Sequence, residues 1–300
     1  MRSLPSSKLR KWVRKNATGL LFISPWLVGF LGFTLGPFLS SVYLSFTTYD
    51  LVHPAKWVGL ANYRTLANDD PLFWPSLWVT VKYALVTVPL GIAVGAALAL
   101  LLNTKVRGQT LFRTIFYLPS IVPSVANAVV FSWILNPQIG LINGILRVFH
   151  VEGPTWLNDP IWALRSLMLM SLWGVGGSMV IYLAGLQDIP KHLYEAATID
   201  GTSAAQRMRH ITLPLLTPVI FFNLVMGIIG SFQYFTEAFI MTKGGPDGST
   251  LFYALYLFQR AWTYLDMGYA CAMAWIVFVI AMVLTGLVFK TQKRWVHFGQ

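Results

Sequence analysis

The stretch EAATIDGTSAAQRMRHITLP, residues 195–214, interrupts a very apolar sequence. Glu195, Asp200, Arg207, Arg209 and His210 fall within these twenty residues, while the segments on either side carry almost no charge. Of 300 residues, 56% are hydrophobic, 15% aromatic and only 11% charged, and the mean hydropathy is +0.61. Soluble domains carry roughly 25% charged residues, so the composition is that of a membrane protein.

Apolar runs long enough to cross about 30 Å of hydrocarbon, roughly 20 residues each, lie at approximately 19–47, 78–102, 114–136, 161–187, 215–241 and 267–289. The expected fold class is therefore all-α: a polytopic membrane protein with six transmembrane helices. The expected organisation is a tail over 1–18, a helical domain over 19–289 containing a polar loop at 188–214, and a second tail over 290–300. Pro25, Pro37, Pro89, Pro119, Pro123 and Pro218 fall inside the runs, where they signal kinks or turn starts. The first run is about twice the length of a signal-peptide core and no small-residue cleavage site follows it, so it is expected to remain as a helix. Cys271 is the single cysteine and cannot form an intrachain disulfide.

The net charge of +11 is distributed as an orientation signal rather than as a nucleic-acid footprint. The N-terminal tail, the loops after the second and fourth runs and the C-terminal tail together hold fifteen Lys and Arg. The alternate loops hold five (Lys56, Arg64, Arg147, Lys243, Arg260) against seven acids. By the positive-inside rule, both termini and the 188–214 loop are expected to be cytoplasmic. The excess also favours contact with anionic lipid headgroups.

Within that loop, Asp188 ahead of Pro190 is a reasonable helix start, and a short helix over about 190–199 is expected. Gly201 can end it in a left-handed conformation, Thr202 or Ser203 can cap a second helix to about Ile211, and Pro214 then opens the fifth run. Leu193, Ala196, Ala197, Met208 and Ile211 are its candidate apolar contacts. An amphipathic connector resting on headgroups would favour Lys, Arg and large apolar residues. Glu195, Ala196, Ala197 and Asp200 are small or acidic, and suit close docking against protein.

These residues, with Gly201, Ile211, Leu213 and Pro214, resemble the EAA loop of ATP-binding-cassette importer permeases: EAA, three residues, G, nine residues, I-x-LP. The stretches 20–51, 58–63 (VGLANY) and 112–119 (FRTIFYLP) also resemble carbohydrate-type members of that family, and Lys243-Gly244-Gly245-Pro246 is similar to their external GGP loop. The resemblance implies the type I ABC importer permease fold in a bacterial or archaeal cell (inner) membrane. It implies a second homologous permease, a cytoplasmic ATPase dimer docked on Glu195 and Gly201, and an extracellular or periplasmic substrate-binding protein facing Lys243–Pro246. The implied substrate is a carbohydrate, with glycerol phosphate or a related polyol as the alternative. This chain has no GxxxxGK[ST] loop, so no cofactor is expected in it, and ATP and Mg belong on the partner ATPase. No nucleic acid or metal partner is expected, since the histidines lack metal-ligand spacing.

Polar groups inside apolar runs are default candidates for a substrate path. The fifth run holds Asn223, Ser231, Gln233, Tyr234, Thr236 and Glu237. On a continuous helix Tyr234 and Glu237 are neighbours at i and i+3, with Ser231 one turn away. The resemblance places Ser231 and Tyr234 in the sugar-binding region. Gly174, Gly176, Gly177 and Ser178 in the fourth run serve either close helix packing or substrate space. Glu237 either contacts substrate or pairs with Lys82 or Arg165. An ion-coupled secondary transporter would show inverted repeats with broken helices and midplane carboxylates. Glu237 alone fits that description, and an intramembrane enzyme would need a nucleophile or metal constellation that the sequence does not display.

Overall fold

The computed structural model describes residues 15–104 and 107–297. The basic residues at 2–14 and Lys105 lie outside the described residues. The first span is α1 (Ala17–Gly29) and α2 (Gly36–Ser45), joined by a wide helical turn at Phe30–Leu35. A short antiparallel hairpin, β1 (Thr47–Thr48) and β2 (Lys56–Trp57), and α3 (Ala61–Asn68) follow. Next come α4 (Phe73–Leu102), α5 (Gln109–Ile121), α6 (Ser124–Ile134) and α7 (Leu141–Val148). The remaining helices are α8 (Pro160–Ser171), α9 (Gly176–Gln187), α10 (Lys191–Ile199), α11 (Ala204–Arg207), α12 (Leu213–Phe232), α13 (Tyr253–Phe258) and α14 (Met267–Thr291).

The six expected runs become five long apolar spans and one bent pair. The third run does not cross as one helix: α5 and α6 meet at 99°. The cause is local. Val122 precedes Pro123 and is extended (ψ 131°), as the residue before proline is sterically driven to be, so the helix cannot continue through it. The second span starts at Phe73 rather than 78, because the Asp70 carboxylate accepts from the Leu72 N–H at 2.9 Å and turns the chain into the helix. The fifth span also departs from expectation. α12 stops at Phe232, Tyr234 and Phe235 are non-helical, and a wide turn resumes over Ala238–Thr242. Tyr234 and Glu237 are therefore not neighbours on one continuous helix.

α4 is the central post. It packs on α9 and α12, while α14 packs on α2 and α12. Two apolar clusters hold the bundle. One surrounds Ala99, Leu102, Met179, Tyr182, Leu183 and Leu216, near the end that carries the 188–212 loop. The other, near the hairpin end, surrounds Leu66, Phe73, Tyr83, Phe252, Tyr253, Tyr256 and Met273. The second cluster exists because the chain after Thr242 turns back into the bundle. Left-handed backbone at Lys243 (φ 52°), Gly244 (φ 89°), Asp247 (φ 49°) and Gly248 (φ 70°) makes the reversal. The Thr250 hydroxyl then closes it on Thr242 Oγ1 and the Gly245 carbonyl, both at 2.7 Å.

Above this cluster lies a buried charged node. The Asp70 carboxylate accepts from the Tyr256 hydroxyl at 2.6 Å, from the Tyr269 hydroxyl, and from Arg260 Nη2 at 3.2 Å. The Arg260 guanidinium lies 4.6 Å from the Tyr269 ring centroid. Burial alone would push the Asp70 carboxyl up. The Tyr256 and Tyr269 hydroxyls, the Leu72 N–H and Arg260 outweigh it and hold the group below its ordinary value of 3.8.

Removing the carboxylate strands Arg260 and two tyrosine hydroxyls. Asp70→Ala is expected to destabilise the protein by about 3–5 kcal/mol, as breaking buried pairs does, read as a fall in unfolding temperature in detergent. Because the folded carboxyl titrates below the unfolded one, the stabilisation is complete above pH 3.8 and lost as pH falls through the lower folded value. Melts of the parent and Asp70→Asn should therefore differ at neutral pH and converge in strong acid.

Candidate functional site

A cavity of about 420 Å³ opens between α4, α8, α9 and α12. Tyr83, Thr87 and Gly91 line it from α4, Ser171 and Ser178 from the fourth span together with Tyr182, and Asn223, Gly227, Ser231 and Tyr234 from the fifth. The Tyr83 and Tyr234 rings face each other at 4.4 Å between centroids, tilted by 32°. Tyr234 Oη is buried with no hydrogen-bond partner among the described residues. Tyr182 is fully buried and its hydroxyl also has no partner among the described residues. A buried hydroxyl left unsatisfied costs about 1–3 kcal/mol. Those two hydroxyls have no accessible surface, so the hydrogen-bonding capacity that the wall offers a ligand comes from Thr87, Ser171, Ser178, Asn223 and Ser231. No charged side chain lines it.

Small residues make room for this wall. A Cβ on Gly95 would sit 2.7 Å from Ser178 Oγ and 3.2 Å from the Tyr182 ring, so the glycine lets that ring lie against α4. Elsewhere on the cavity the Thr87 and Ser231 hydroxyls bond back to Tyr83 and Gly227 carbonyls.

Of the expected path residues, Ser178, Ser231 and Tyr234 converge on the cavity. Gln233 does not: it is exposed on the opposite side, in an apolar groove with Phe232, Val277 and Met282. Glu237 is half-buried and does not line the cavity. Its expected cationic partners lie elsewhere, Lys82 over the Trp78 ring at 5.5 Å and Arg165 over Trp162 at 5.3 Å. Gly174 and Gly177 also fall outside the lining. The closest approach belongs to Gly176, whose Cβ would lie 2.0 Å from the Phe116 carbonyl oxygen of α5. Tyr83, Thr87, Ser171 and Tyr182 were missed by the sequence reading, although Tyr83 and Thr87 are polar neighbours at i and i+4 within an apolar run.

At the other end, the 188–214 loop forms a helix, a glycine turn and a helix. Asp188 ends α9, with its N–H on the Ala184 carbonyl, rather than capping α10, whose first position follows Pro190. Gly201 adopts φ 71° and faces open space, so the left-handed backbone, not crowding, requires it. Ser203 caps α11 in a reciprocal pair with Gln206. No separate helix starts at Pro214. A wide turn over Met208–Thr212 carries α11 directly into α12 and absorbs the missing proline N–H. Tyr194 Oη and Thr212 Oγ1, 2.9 Å apart, tie α10 to this continuous helix. Leu193 and Ile211 pack on the core cluster and Ala197 is buried. Glu195, Ala196, Asp200 and Gly201 are exposed, and Leu213 partly so. A recess of about 440 Å³ lies between the two helices. In the 243–246 turn, Lys243 is exposed but Gly244 is buried against Leu251, so only part of that turn is presented outward.

Residues 88–297 match the family model described as binding-protein-dependent transport system inner membrane component. The chain belongs to this family. Among its relatives, a probable ABC transporter permease protein, YesP of Bacillus subtilis, is 46% identical over 97% of this chain and 95% of its own length. The trehalose/maltose transport system permease protein MalF of Thermococcus litoralis is 35% identical over 96% of this permease and 97% of its own length. The fold of the permease is also that of a chain in the crystal structure of a bacterial alginate ABC transporter in complex with alginate pentasaccharide-bound periplasmic protein. The TM-score is 0.85 at 22% identity, over 96% of this chain and 98% of that one.

The glycine geometry separates packing from cavity space. Gly176→Ala is expected to lower the yield of monodisperse permease sharply in fluorescence-detected size exclusion. Gly174→Ala, with nothing within 4 Å, and Gly177→Ala, 3.7 Å from Ser120, should elute like the parent.

Proposed function

We propose that this permease carries a neutral carbohydrate across the membrane, forming the translocation path together with a second homologous permease. The observation that carries this reading is the uncharged cavity, in which a tyrosine pair faces walls bearing the Thr87, Ser171, Ser178 and Ser231 hydroxyls and the Asn223 amide. A sugar ring offers an apolar face to aromatic rings and hydroxyls to such groups. A phosphate ester would require Lys or Arg in the wall, which disfavours glycerol phosphate. The trehalose/maltose permease and the lactose permease LacF of Rhizobium radiobacter, 34% identical over 98% of this chain, support the carbohydrate assignment.

Energy enters from a cytoplasmic ATPase dimer that binds ATP and Mg. Its docking element on this chain is the 195–214 stretch, with the exposed Glu195 and Asp200 and the turn at Gly201 presented to the ATPase. Ala196 and Ala197 keep the helix surface low. Because α11, the wide turn at Met208–Thr212 and α12 form one continuous helix, force applied at its start at Ala204, next to the Gly201 turn, reaches Asn223 and Ser231 on the cavity without passing through a loop. Such coupling moves an equilibrium only if the ATPase binds the two states with different affinity. Both termini and this loop face the cytoplasm, and a substrate-binding protein delivers sugar at the hairpin end, near Lys243.

The complete system, expressed in cells lacking their own sugar uptake, tests both halves. With a panel of radiolabelled neutral mono- and disaccharides plus glycerol 3-phosphate, saturable ATP-dependent uptake of a neutral sugar is expected. Preferential uptake of the phosphate ester overturns the substrate assignment. Asn223→Leu, which removes a polar group from the cavity wall, should raise KM several-fold with little change in maximal rate. Glu195→Ala combined with Gly201→Val should reduce co-purification of the ATPase at least several-fold. The valine must enter a left-handed conformation costing about 1–2 kcal/mol, and unchanged association would sink the docking assignment.

A further inference from the structure

The cavity wall contains one ring pair whose geometry is not fixed by its own backbone. Tyr83 is held by the central helix α4, but Tyr234 lies in the non-helical break after α12, where its N–H makes only a long bond, 3.4 Å, to the Ser231 carbonyl. What meets both rings from behind is Phe252. It is fully buried, does not line the cavity, and lies 5.1 Å from the Tyr83 centroid, nearly edge-on at 84°. Its centroid is 4.8 Å from that of Tyr234. These separations lie in the range where aromatic rings gain from edge-to-face and offset arrangements.

Phe252 is itself anchored on both sides. The next residue, Tyr253, donates its backbone N–H to Thr80 Oγ1 at 2.9 Å and its hydroxyl to the Met273 carbonyl at 2.8 Å. Upstream, the Thr250 hydroxyl locks the 243–250 reversal. Downstream, the same segment reaches Arg260 and the Asp70 node. Phe252 thus joins a surface segment of the hairpin end to the wall of the cavity.

We propose that Phe252 is a positioning residue: it sets the mutual angle of the Tyr83 and Tyr234 rings, so that the 243–258 segment shapes the aromatic wall from outside the cavity. The link to transport rests on the reading of that wall as the carbohydrate surface. Leucine at 252 fills part of the space but offers neither ring edge nor ring face. It leaves Tyr234 free to rotate. Tyrosine at 252 retains the ring.

The test uses the full-length permease in nanodiscs of phosphatidylethanolamine and phosphatidylglycerol, with meta-fluorotyrosine placed singly at position 83 or 234. Phe252→Leu is expected to shift and broaden both fluorine resonances, and Phe252→Tyr to restore them. Phe73→Leu is the control, since Phe73 is also buried in the same cluster but meets Tyr253 edge-on, at 70°, and not the ring pair. Resonances unchanged in Phe252→Leu, or moved equally by Phe73→Leu, overturn the proposal. If Phe252→Leu does not accumulate in the membrane, Phe252→Met, which also lacks a ring, carries the same readouts. In the complete transporter, supplied with the best-transported sugar of the panel above, Phe252→Leu should raise KM several-fold at nearly constant maximal rate. Phe73→Leu should leave KM unchanged. Resonances that move while KM stays constant in both Phe252→Leu and Asn223→Leu uphold the positioning and overturn the carbohydrate reading of the wall.

Discussion

Inside a lipid-embedded core a backbone N–H must find an acceptor, because no water is there to supply one. At Tyr253 that acceptor is the hydroxyl of Thr80, on the central helix α4. The bond permits a non-helical segment to enter the bundle from the hairpin end. Everything that distinguishes that end follows from it: the aromatic cluster around Phe252 and Tyr253, the node at Asp70, and the support behind Tyr83 and Tyr234. Thr80 can serve because it is itself buried and its hydroxyl donates to the Ser76 carbonyl, leaving lone pairs for the incoming chain.

The two ends of the bundle solve different problems. The hairpin end is braced by buried polar bonds between segments far apart in sequence, with Asp70 joined to Tyr256, Arg260 and Tyr269. The loop end is built from local chemistry: the left-handed Gly201, the Ser203–Gln206 capping pair and the wide turn ahead of Pro214. One end is a rigid frame for a cavity wall, and the other is a protruding helical pair continuous with a cavity-lining helix.

The loop end was legible residue by residue for this reason. Glycine, serine and proline punctuate a chain through their own backbone chemistry, so the helix after Pro190, the turn at Gly201 and a cap at Thr202 or Ser203 could be placed from sequence, and the structure puts that cap at Ser203. The helix start assigned to Asp188 and the break assigned to Pro214 were not borne out. Both depend on whether the neighbouring helix runs on, and that is decided by packing of Leu193, Ile211 and Leu216 on the core. The cavity was only partly legible. Ser178, Ser231 and Tyr234 stood out as polar groups in apolar runs, but so did Gln233, which faces the other way once α12 ends at Phe232.

Sequence by itself determined the medium, the helical class and the polar loop, since these follow from summed hydropathy, charge placement and local backbone preference. Tertiary structure alone decided which polar residues share a cavity and that the segment after Thr242 returns inward. Those outcomes depend on contacts between residues far apart along the chain, such as Thr80 with Tyr253 and Asp70 with Tyr269. A periodicity or a composition carries no record of such pairs, because each partner looks ordinary in its own segment.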